Sequence, residues 1–467
     1  MPHYNGIYYS DFLNEGKNAN ELIFSNYDDP NITAETNNKF DRNYSMHYIE
    51  NRFNRELYKL NEYIRHLTFG HVYNRPIKNL SPNIPNLTHL VFGHAYDCEI
   101  TLLPVNLTHL TFGYSFNQPI YDKLLQTKFL TKLEFGKLFN QNIEENSLPQ
   151  SITHLILGNN FNQFIKPNSL PQSITHLILG NQFNTIIGPN ILPQSTTYLF
   201  VGISYNHTIR KNVLPSNLIH LEFDSFGNFN NYILDFENLI NLTHLTFGMK
   251  FNKPMTVFPP SIIYLKFGLD FDNVIENIPD SVKYLEFGDK FNKALSVLPT
   301  QLLNLKFGGC FNKPINAFPN LVEKIEFGGS FNQELNNLPN SLKYLKLGKR
   351  FNTKLERLPI MQLKYLHLDS SNGVVNFLPN SIEELYFGNN FNMDINDLPT
   401  SIKIITFGYD CKFDKELNCL PIGLLKLKLN HSYKKKILVI PNSLEIIECL
   451  KSYPFKNSFD GYNLILY

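Results

Sequence analysis

The chain has 467 residues, and its 42 Lys and Arg side chains almost equal its 41 Asp and Glu side chains, so the net charge is +1. This balance argues against a nucleic-acid-binding protein, which normally carries a clear basic excess. An apolar content of 43% is ample for a hydrophobic core.

Residues 1–60 are the least regular part of the sequence. The first 17 residues lack the basic start and apolar run of a signal peptide, and no apolar stretch of the chain approaches the ~20 residues of a membrane span. Leu22-Ile23-Phe24 and Phe53-Asn54 resemble worn copies of a repeat that dominates the rest of the chain. Because the open end of a stack of repeats must be covered, we expect residues 1–60 to form a degenerate N-terminal cap.

Residues 61–450 repeat one motif about nineteen times. Its cleanest copy begins at Leu378 and ends at Ile395, and reads Leu-Pro-x-Ser-Ile-x-x-Leu-x-Phe-Gly-x-x-Phe-Asn-x-x-Ile. The repeat length is constant from Leu133 to Leu221, and it is constant again, but slightly shorter, from Leu245 to Leu345. A short unit repeated this often predicts a solenoid, in which each coil contacts only its neighbours.

Each copy is expected to contribute one short strand. The central leucine and the residue two positions later are both apolar, as Leu385 and Phe387 are, whereas their neighbours vary. This alternation indicates a strand with one buried face. We therefore predict a leucine-rich-repeat-like solenoid, with stacked parallel strands on one face and turns or 3₁₀ pieces on the other. The strands should be centred on Leu67, Leu90, Leu110, Leu133, Leu155, Leu177, Leu199, Leu221, Leu245, Leu265, Leu285, Leu305, Ile325, Leu345, Leu366, Leu385, Ile405, Leu427 and Ile447.

A glycine follows the central leucine by three positions in almost every copy. Within the array the exceptions are Asp224, Asp369 and Asn430, and Asp and Asn tolerate positive φ best among non-glycine residues. We therefore predict a left-handed backbone position that ends each strand. The alternative, that glycine only provides steric room, would place Ala or Ser among the exceptions.

An aromatic residue and an asparagine come next, as in Phe161-Asn162 and Phe331-Asn332. Aromatic rings in register predict a continuous buried spine. The asparagines predict a ladder in which each side-chain amide serves backbone groups of the turn or of the adjacent coil.

Leu-Pro pairs such as Leu148-Pro149 mark the return side of each coil. Proline lacks the N–H that a central strand requires, so it predicts a short turn or 3₁₀ piece there. The last copy is worn, and we expect residues 451–467 to form a C-terminal cap.

Copies such as Phe116-Asn117-Gln118-Pro119-Ile120 resemble the FNIP repeat. The resemblance covers roughly residues 60–450, and similar arrays occur in social amoebae and in giant DNA viruses that infect amoebae. It implies a leucine-rich-repeat-like scaffold for protein interaction in the cytoplasm, or in the host cytoplasm if the chain is viral. Some members carry an F-box and would act as substrate adaptors of ubiquitin ligases, but residues 1–60 lack its Leu-Pro-rich helical opening. The family has no established catalytic residues.

The position before the central leucine is enriched in aromatic and titratable side chains. We expect this column to point outwards, either as a binding strip or as a stacking ladder. Neither Cys nor a carboxylate recurs at a spacing that would supply a third zinc ligand, so we expect no metal and no cofactor. The column consists of His66, His89, His109, His154, His176, Tyr198, His220, His244, Tyr264, Tyr284, Tyr344 and Tyr365.

The position after the central leucine changes character along the chain. Alternating charges occupy it in five consecutive copies and predict favourable cross-strand pairs, at Lys266, Glu286, Lys306, Glu326 and Lys346. In an earlier stretch Ile156, Ile178 and Phe200 occupy it instead. An exposed apolar patch is a candidate interface. We therefore predict the binding site at His154, Ile156, His176, Ile178, Tyr198 and Phe200.

The function favoured by these patterns is a non-enzymatic scaffold that binds a protein partner, with neither nucleic acid nor membrane as its target. One alternative is a ubiquitin-ligase adaptor whose N-terminal docking element has diverged. Another is a carbohydrate-binding solenoid, because Tyr and His strips can stack on sugars. A polysaccharide-cleaving β-helix would need acidic clusters on neighbouring coils, and the strand columns contain none.

Overall fold

The computed structural model of the chain describes residues 21–23, 64–77, 84–353, 362–370 and 378–467. The chain divides into two compact units, Met1–Leu242 and Thr243–Tyr467. In the first unit one 3₁₀ turn spans Phe236–Asn238, and the described strands are β1 (Glu21–Ile23), β2 (His66–Thr68), β3 (His89–Val91), β4 (His109–Thr111), β5 (Lys132–Glu134), β6 (His154–Ile156), β7 (His176–Ile178), β8 (Tyr198–Val201) and β9 (His220–Phe223).

The second unit has the same organisation. A 3₁₀ turn spans Lys456–Phe459, and the described strands are β10 (His244–Thr246), β11 (Tyr264–Lys266), β12 (Tyr284–Glu286), β13 (Asn304–Lys306), β14 (Lys324–Glu326), β15 (Tyr344–Leu347), β16 (Tyr365–Leu368), β17 (Glu384–Phe387), β18 (Ile404–Phe407), β19 (Lys426–Lys428), β20 (Ile446–Cys449) and β21 (Asn463–Leu466).

Within each unit, successive strands pair in parallel and in register. Leu155 lies beside Leu177, and Leu177 beside Leu199, because the repeat places one leucine at the centre of each strand. These side chains are 0–1% exposed, so the predicted stacked parallel strands are confirmed. Leu22 pairs with Leu67 in the same way, which confirms a strand in that worn copy; Phe53-Asn54 lies outside the described residues.

The predicted aromatic spine is present and consists of two rows of rings. The ring centroids of Phe287 and Phe291, from one coil, are 4.0 Å apart. Along the rows, Phe287 is 5.4 Å from Phe307, and Phe291 is 5.9 Å from Phe311. In β6 to β8 the first row is aliphatic instead, with Leu157, Leu179 and Val201 at its positions. Stacked rings of this kind add to the free energy gained by burial alone.

The predicted asparagine ladder is confirmed. Asn140 accepts the backbone N–H of Asn162 through Oδ1 at 2.9 Å, and Asn162 accepts that of Asn184 at 2.8 Å. Asp97 accepts the N–H of Asn117 at 2.8 Å. Aspartate fits because the position needs only an acceptor oxygen.

The prediction of a left-handed glycine at the end of each strand is wrong. Gly461 is the only described glycine with a positive φ. A Cβ built on Gly136 would lie 1.6 Å from the carbonyl oxygen of Gly113. The neighbouring coil therefore leaves no room for a side chain at Gly136, so crowding between coils, and not a positive φ, explains this glycine.

The left-handed positions lie on the return side instead. Asn146, Asn168, Asn190 and Asn212 have φ of 55–60° and occupy equivalent places in successive coils of the first unit. Each precedes a Leu-Pro turn, such as that in which Ile152 donates its N–H to the carbonyl of Pro149 at 3.3 Å. The predicted turn is present. Asparagine supplies the positive φ because it tolerates this conformation better than other residues with a side chain.

Residues 451–467 continue the stack. Tyr453 and Phe459 are buried and their rings stack at 5.7 Å, and β21 then pairs in parallel with β20. Whether this segment acts as a cap stays a prediction. Within the described ranges no helix is long and apolar enough to cross a membrane.

Candidate functional site

The structure brings the six predicted site residues together in two rows on the strand face. One row places His154 beside His176 and His176 beside Tyr198. On the other side of the buried leucines, Ile156 lies beside Ile178, and Ile178 beside Phe200. His154 and His176 are exposed, whereas the other four side chains are half-buried. The predicted outward orientation of these columns is therefore confirmed for the six residues.

Threonines hold the two exposed imidazoles in one orientation. The hydroxyl of Thr153 donates to the carbonyl of Thr131 at 3.1 Å, and its oxygen lies 2.9 Å from Nδ1 of His154. Thr175 makes equivalent contacts of 3.2 and 3.0 Å with Thr153 and His176. Because the hydroxyl proton is used by the carbonyl, Nδ1 must donate to the threonine oxygen. We therefore place a proton on Nδ1 of each ring, and in a neutral ring this leaves Nε2 as the acceptor.

The imidazoles also stack on one another. The ring centroids of His154 and His176 are 4.2 Å apart, with 9° between the ring planes. Partial burial, followed by the charges of His176 and Lys132, lowers the pKa of His154. The two rings therefore stack, as the stacking-ladder interpretation predicted. The lowered pKa keeps the His154 ring neutral near pH 7, so its Nε2 presents an acceptor and not a charge.

Carboxylates border the apolar row of Ile156, Ile178 and Phe200 at both ends. Glu134 lies beside Ile156 in the sheet, and Glu222 lies beside Phe200. The hydroxyl of Tyr198 donates to Glu222 at 3.0 Å. Burial, followed by the charge of Glu222, raises the pKa of Tyr198 to about 12. The Nζ of Lys132 lies 3.6 Å from Glu134, so the charge of that carboxylate is paired. The patch is therefore apolar at its centre, with an ion-paired carboxylate at one border and a hydrogen-bonded carboxylate at the other.

The strand face of the second unit carries charges at the same positions. Glu286 lies 3.5 Å from the Nζ of Lys266 and 2.9 Å from that of Lys306. The hydrogen bond to Glu286 raises the pKa of Lys306. The predicted cross-strand pairing is confirmed for these residues, and the face neutralises its own charge.

The threonines of the strand face were missed by the sequence reasoning. Their signal was a Thr-His dipeptide that recurs where the strand begins, at Thr88, Thr108, Thr153, Thr175 and Thr243. In the part of the chain that the structure describes, no group of three or more His, Cys, Asp or Glu side chains is placed to hold a metal ion.

Parallel strands in register, one in each coil, with a polar outer face define a solenoid of the leucine-rich-repeat type. The FNIP repeat model matches the sequence over segments that together cover more than half of it, and the chain belongs to the FNIP repeat family. The matched segments are residues 99–125, 127–160, 139–182, 161–204, 183–226, 240–270, 271–310, 311–350, 331–371 and 370–410.

One solved structure supports the same fold. The chain is similar to CroV588 from a giant virus, described as a novel circular LRR protein structure, with 41% identity and a TM-score of 0.75. The match covers 86% of this chain but spans only 62% of that one. YopM from Yersinia enterocolitica matches with 17% identity and a TM-score of 0.40, over 84% of this chain and 88% of its own. InlJ from Listeria monocytogenes matches with 15% identity and a TM-score of 0.34, over 55% and 63%.

No protein with a curated description matches the sequence significantly. The family and the fold are typical of protein-interaction scaffolds.

Proposed function

We propose that this chain is a non-enzymatic scaffold that binds a protein partner along the strand face of its first unit. The contact residues are His154, Ile156, His176, Ile178, Tyr198 and Phe200. The observation that supports this assignment is their arrangement in two in-register rows on three adjacent strands. A rigid surface of this kind binds without the entropic cost of ordering loops.

The chemistry of the patch suits one kind of partner segment. Ile156, Ile178 and Phe200 offer apolar contact area at its centre. The Nε2 of the neutral His154 ring is available as an acceptor, Glu222 lies at one border, and Glu134, paired with Lys132, lies at the other. The partner we propose presents apolar side chains flanked by hydrogen-bond donors.

The proposal also covers the cellular location of the protein and the division of the chain into caps and a repeat array. We place the protein in the cytoplasm, and in the host cytoplasm if it is viral, which the likeness to a giant-virus protein supports. Residues 1–60 and 451–467 are proposed as caps of a repeat array at 61–450. The ligase-docking alternative falls on residues 1–60, of which the structure describes 21–23, so nothing in the fold favours it.

A triple substitution on the apolar row tests the proposal. Threonine is the replacement of choice for Ile156, Ile178 and Phe200, because Thr68 and Thr111 already occupy this column. Three stacked aspartates would repel one another and destabilise the strands. The control is Val91→Thr, which makes the same kind of change in the same column outside the patch.

The measurement is affinity purification from native or infected cells, followed by calorimetric titration of the recovered partner. We expect the triple variant to lose at least tenfold in affinity while its circular dichroism and thermal unfolding stay unchanged, and Val91→Thr to bind like the original chain. Equal affinity for the triple variant and the original would refute this location of the site.

A further inference from the structure

The row of tyrosines on the strand face of the second unit is interrupted. Tyr264 and Tyr284 are neighbours in it, with ring centroids 6.2 Å apart. The next position in the register is Asn304, followed by Lys324 and Tyr344. Tyr284 therefore has a tyrosine ring, tilted by 37°, on one side and the short side chain of Asn304 on the other.

A pocket opens at this interruption. Its volume is about 230 Å³, and its floor is formed by β12 and β13 at Leu285 and Leu305. Tyr284 is 39% exposed, so its ring is accessible from solvent. The remaining lining residues are Tyr264, Glu286, Asn304, Lys306, Lys324 and Glu326.

The charges around the pocket are paired with one another. The Nζ of Lys306 donates to Glu286 at 2.9 Å, and the Nζ of Lys324 lies 2.7 Å from Glu326. Lys324 also lies over the Tyr344 ring, 4.5 Å from its centroid. The charges of these two ammonium groups and two carboxylates therefore cancel at the rim of the pocket. A charged ligand would have to break these pairs, so the pocket favours an uncharged one.

The shape of the pocket favours a flat ring. Adjacent strands are about 4.8 Å apart, which is within the range at which aromatic rings stack. Asn304 stands at the position where Tyr264 and Tyr284 carry their rings. The space above Asn304 is therefore that of a missing ring, with Tyr284 as one wall and the amide of Asn304 as a polar group at the base.

We propose that this pocket is a binding site for an uncharged aromatic side chain, Tyr or Phe, of a partner protein, whose ring stacks on Tyr284 and completes the row. This site lies in the second unit and does not depend on the patch of the first unit. The two proposals can fail separately, because the patch is tested with the recovered partner and the pocket with a small aromatic probe.

Small probes test the pocket directly on the full chain. N-acetyl-tyrosinamide represents the aromatic side chain, and methyl α-glucopyranoside represents a sugar, which also stacks on tyrosine rings. Binding is measured by ligand-observed NMR titration. Because small fragments bind weakly, we expect a dissociation constant on the order of 1 mM for the tyrosine amide.

Two variants and one control separate the pocket from the rest of the row. Asn304→Tyr supplies the missing ring from within the chain, and Tyr284→Ala removes the stacking wall. Both are expected to weaken binding of the tyrosine amide at least tenfold. Tyr365→Ala removes a tyrosine of the same row that does not line the pocket, and it should leave binding unchanged.

Circular dichroism and thermal unfolding of each variant accompany the titrations. If Asn304→Tyr does not fold, Tyr284→Ala still decides the question. The proposal is overturned if the tyrosine amide does not bind, if it binds equally well to the folded Tyr284→Ala variant, or if the glucoside binds more tightly. The last result would assign the pocket to carbohydrate.

Discussion

The strand faces of β6–β8 and of β11–β14 differ although their cores are built alike. In both stretches the central leucines or isoleucine are buried, and asparagines link the coils. The outward positions of β6–β8 carry imidazole, aromatic and aliphatic groups, whereas those of β11–β14 include alternating Lys and Glu. Contact between coils thus constrains the inward positions, while the outward positions vary freely and hold the candidate binding sites.

The return sides differ as well. The longer coils of the first unit have left-handed asparagines at Asn146, Asn168, Asn190 and Asn212. In the described part of the second unit, where the shorter coils prevail, Asn277 is the one asparagine with a positive φ. The extra length is therefore accommodated away from the strands, and the register of the strand face is unaffected by it.

The largest effect is expected from substitution of strand-ending glycines that pack against a carbonyl oxygen of the neighbouring coil, and it should be alike in both units. A Cβ on Gly308 would lie 2.3 Å from the carbonyl oxygen of Gly288, whereas on Gly309 its nearest neighbour would be 3.6 Å away. We expect Gly308→Ala and Gly136→Ala each to cost more than about 3 kcal/mol, because the backbone of two coils must separate. Urea unfolding measures the loss.

Gly309→Ala is the matched control, since it changes the adjacent residue in the same way. It should alter the unfolding midpoint little or raise it slightly. Equal losses for Gly308→Ala and Gly309→Ala would show that crowding between coils is not the reason for the glycine.

The asparagine ladder should respond next most strongly, and again alike in the two units. Asn162→Ala and Asn312→Ala each remove the acceptor of a backbone N–H in the next coil. We expect a cost of about 1–3 kcal/mol, since that donor is left without its partner. Asn312→Asp keeps the acceptor and should be tolerated near pH 7, as Asp272 is at the equivalent position. A harmless alanine substitution would contradict the role of the ladder.

Acid should destabilise both units as the pH falls from about 6.5 to 4, because each unit holds a histidine whose pKa is lowered to about 4. The pKa of His89 is lowered to about 4 by burial and by the neighbouring His109 and His66. Between the unfolded value of about 6.5 and pH 4 the unfolded chain binds more protons, so the folded first unit loses stability as the pH falls through that range. After allowance for solvent screening we expect about 1 kcal/mol or less.

In the second unit, burial lowers the pKa of His367 to about 4 and gives the same window, and a carboxylate adds a further window at lower pH. Hydrogen bonds from Lys364 and Lys403 lower the pKa of Glu383 to about 2. The stabilisation from this carboxylate is therefore present above the unfolded value of about 4.5 and is lost as the pH falls towards 2. Hydrogen exchange of strand amides, followed from pH 7 to pH 2.5, resolves the two windows. His89→Gln and His367→Gln should each remove part of the first window in their own unit, and an unchanged acid response in both variants would contradict the role of these imidazoles.

The smallest effect is expected from the Lys–Glu ladder. Glu286→Gln removes the partner of Lys266 and Lys306, and we expect a cost of about 0.5 kcal/mol that disappears in high salt. Ile156→Val in the first unit is the uncharged comparison, and its effect should not depend on salt. Thermal unfolding at low and high ionic strength checks both.

Sequence reasoning succeeded where the side chain itself determines the outcome. Leu155 is buried because it is apolar at a period of two, and Asn162 serves the adjacent coil because an amide at a regular spacing can do so. The conformation of Gly136 could not be obtained in this way, because its cause is the carbonyl of Gly113 in another coil. The pocket at Asn304 was missed for a similar reason. Its walls come from neighbouring strands, so it becomes visible only when the positions of those strands are known.

The asparagine ladder has a consequence for how such a chain can change its length. Each side-chain oxygen meets the amide of the following coil in the same way, as at Asn140, Asn162 and Asn184. A duplicated coil can therefore form the same asparagine contacts with the coils on both sides of it. When a coil is deleted, the two coils that flanked it can form these contacts with each other. Recombination within the gene can add or remove copies without a new interface having to evolve, while each new outer surface is free to acquire another ligand.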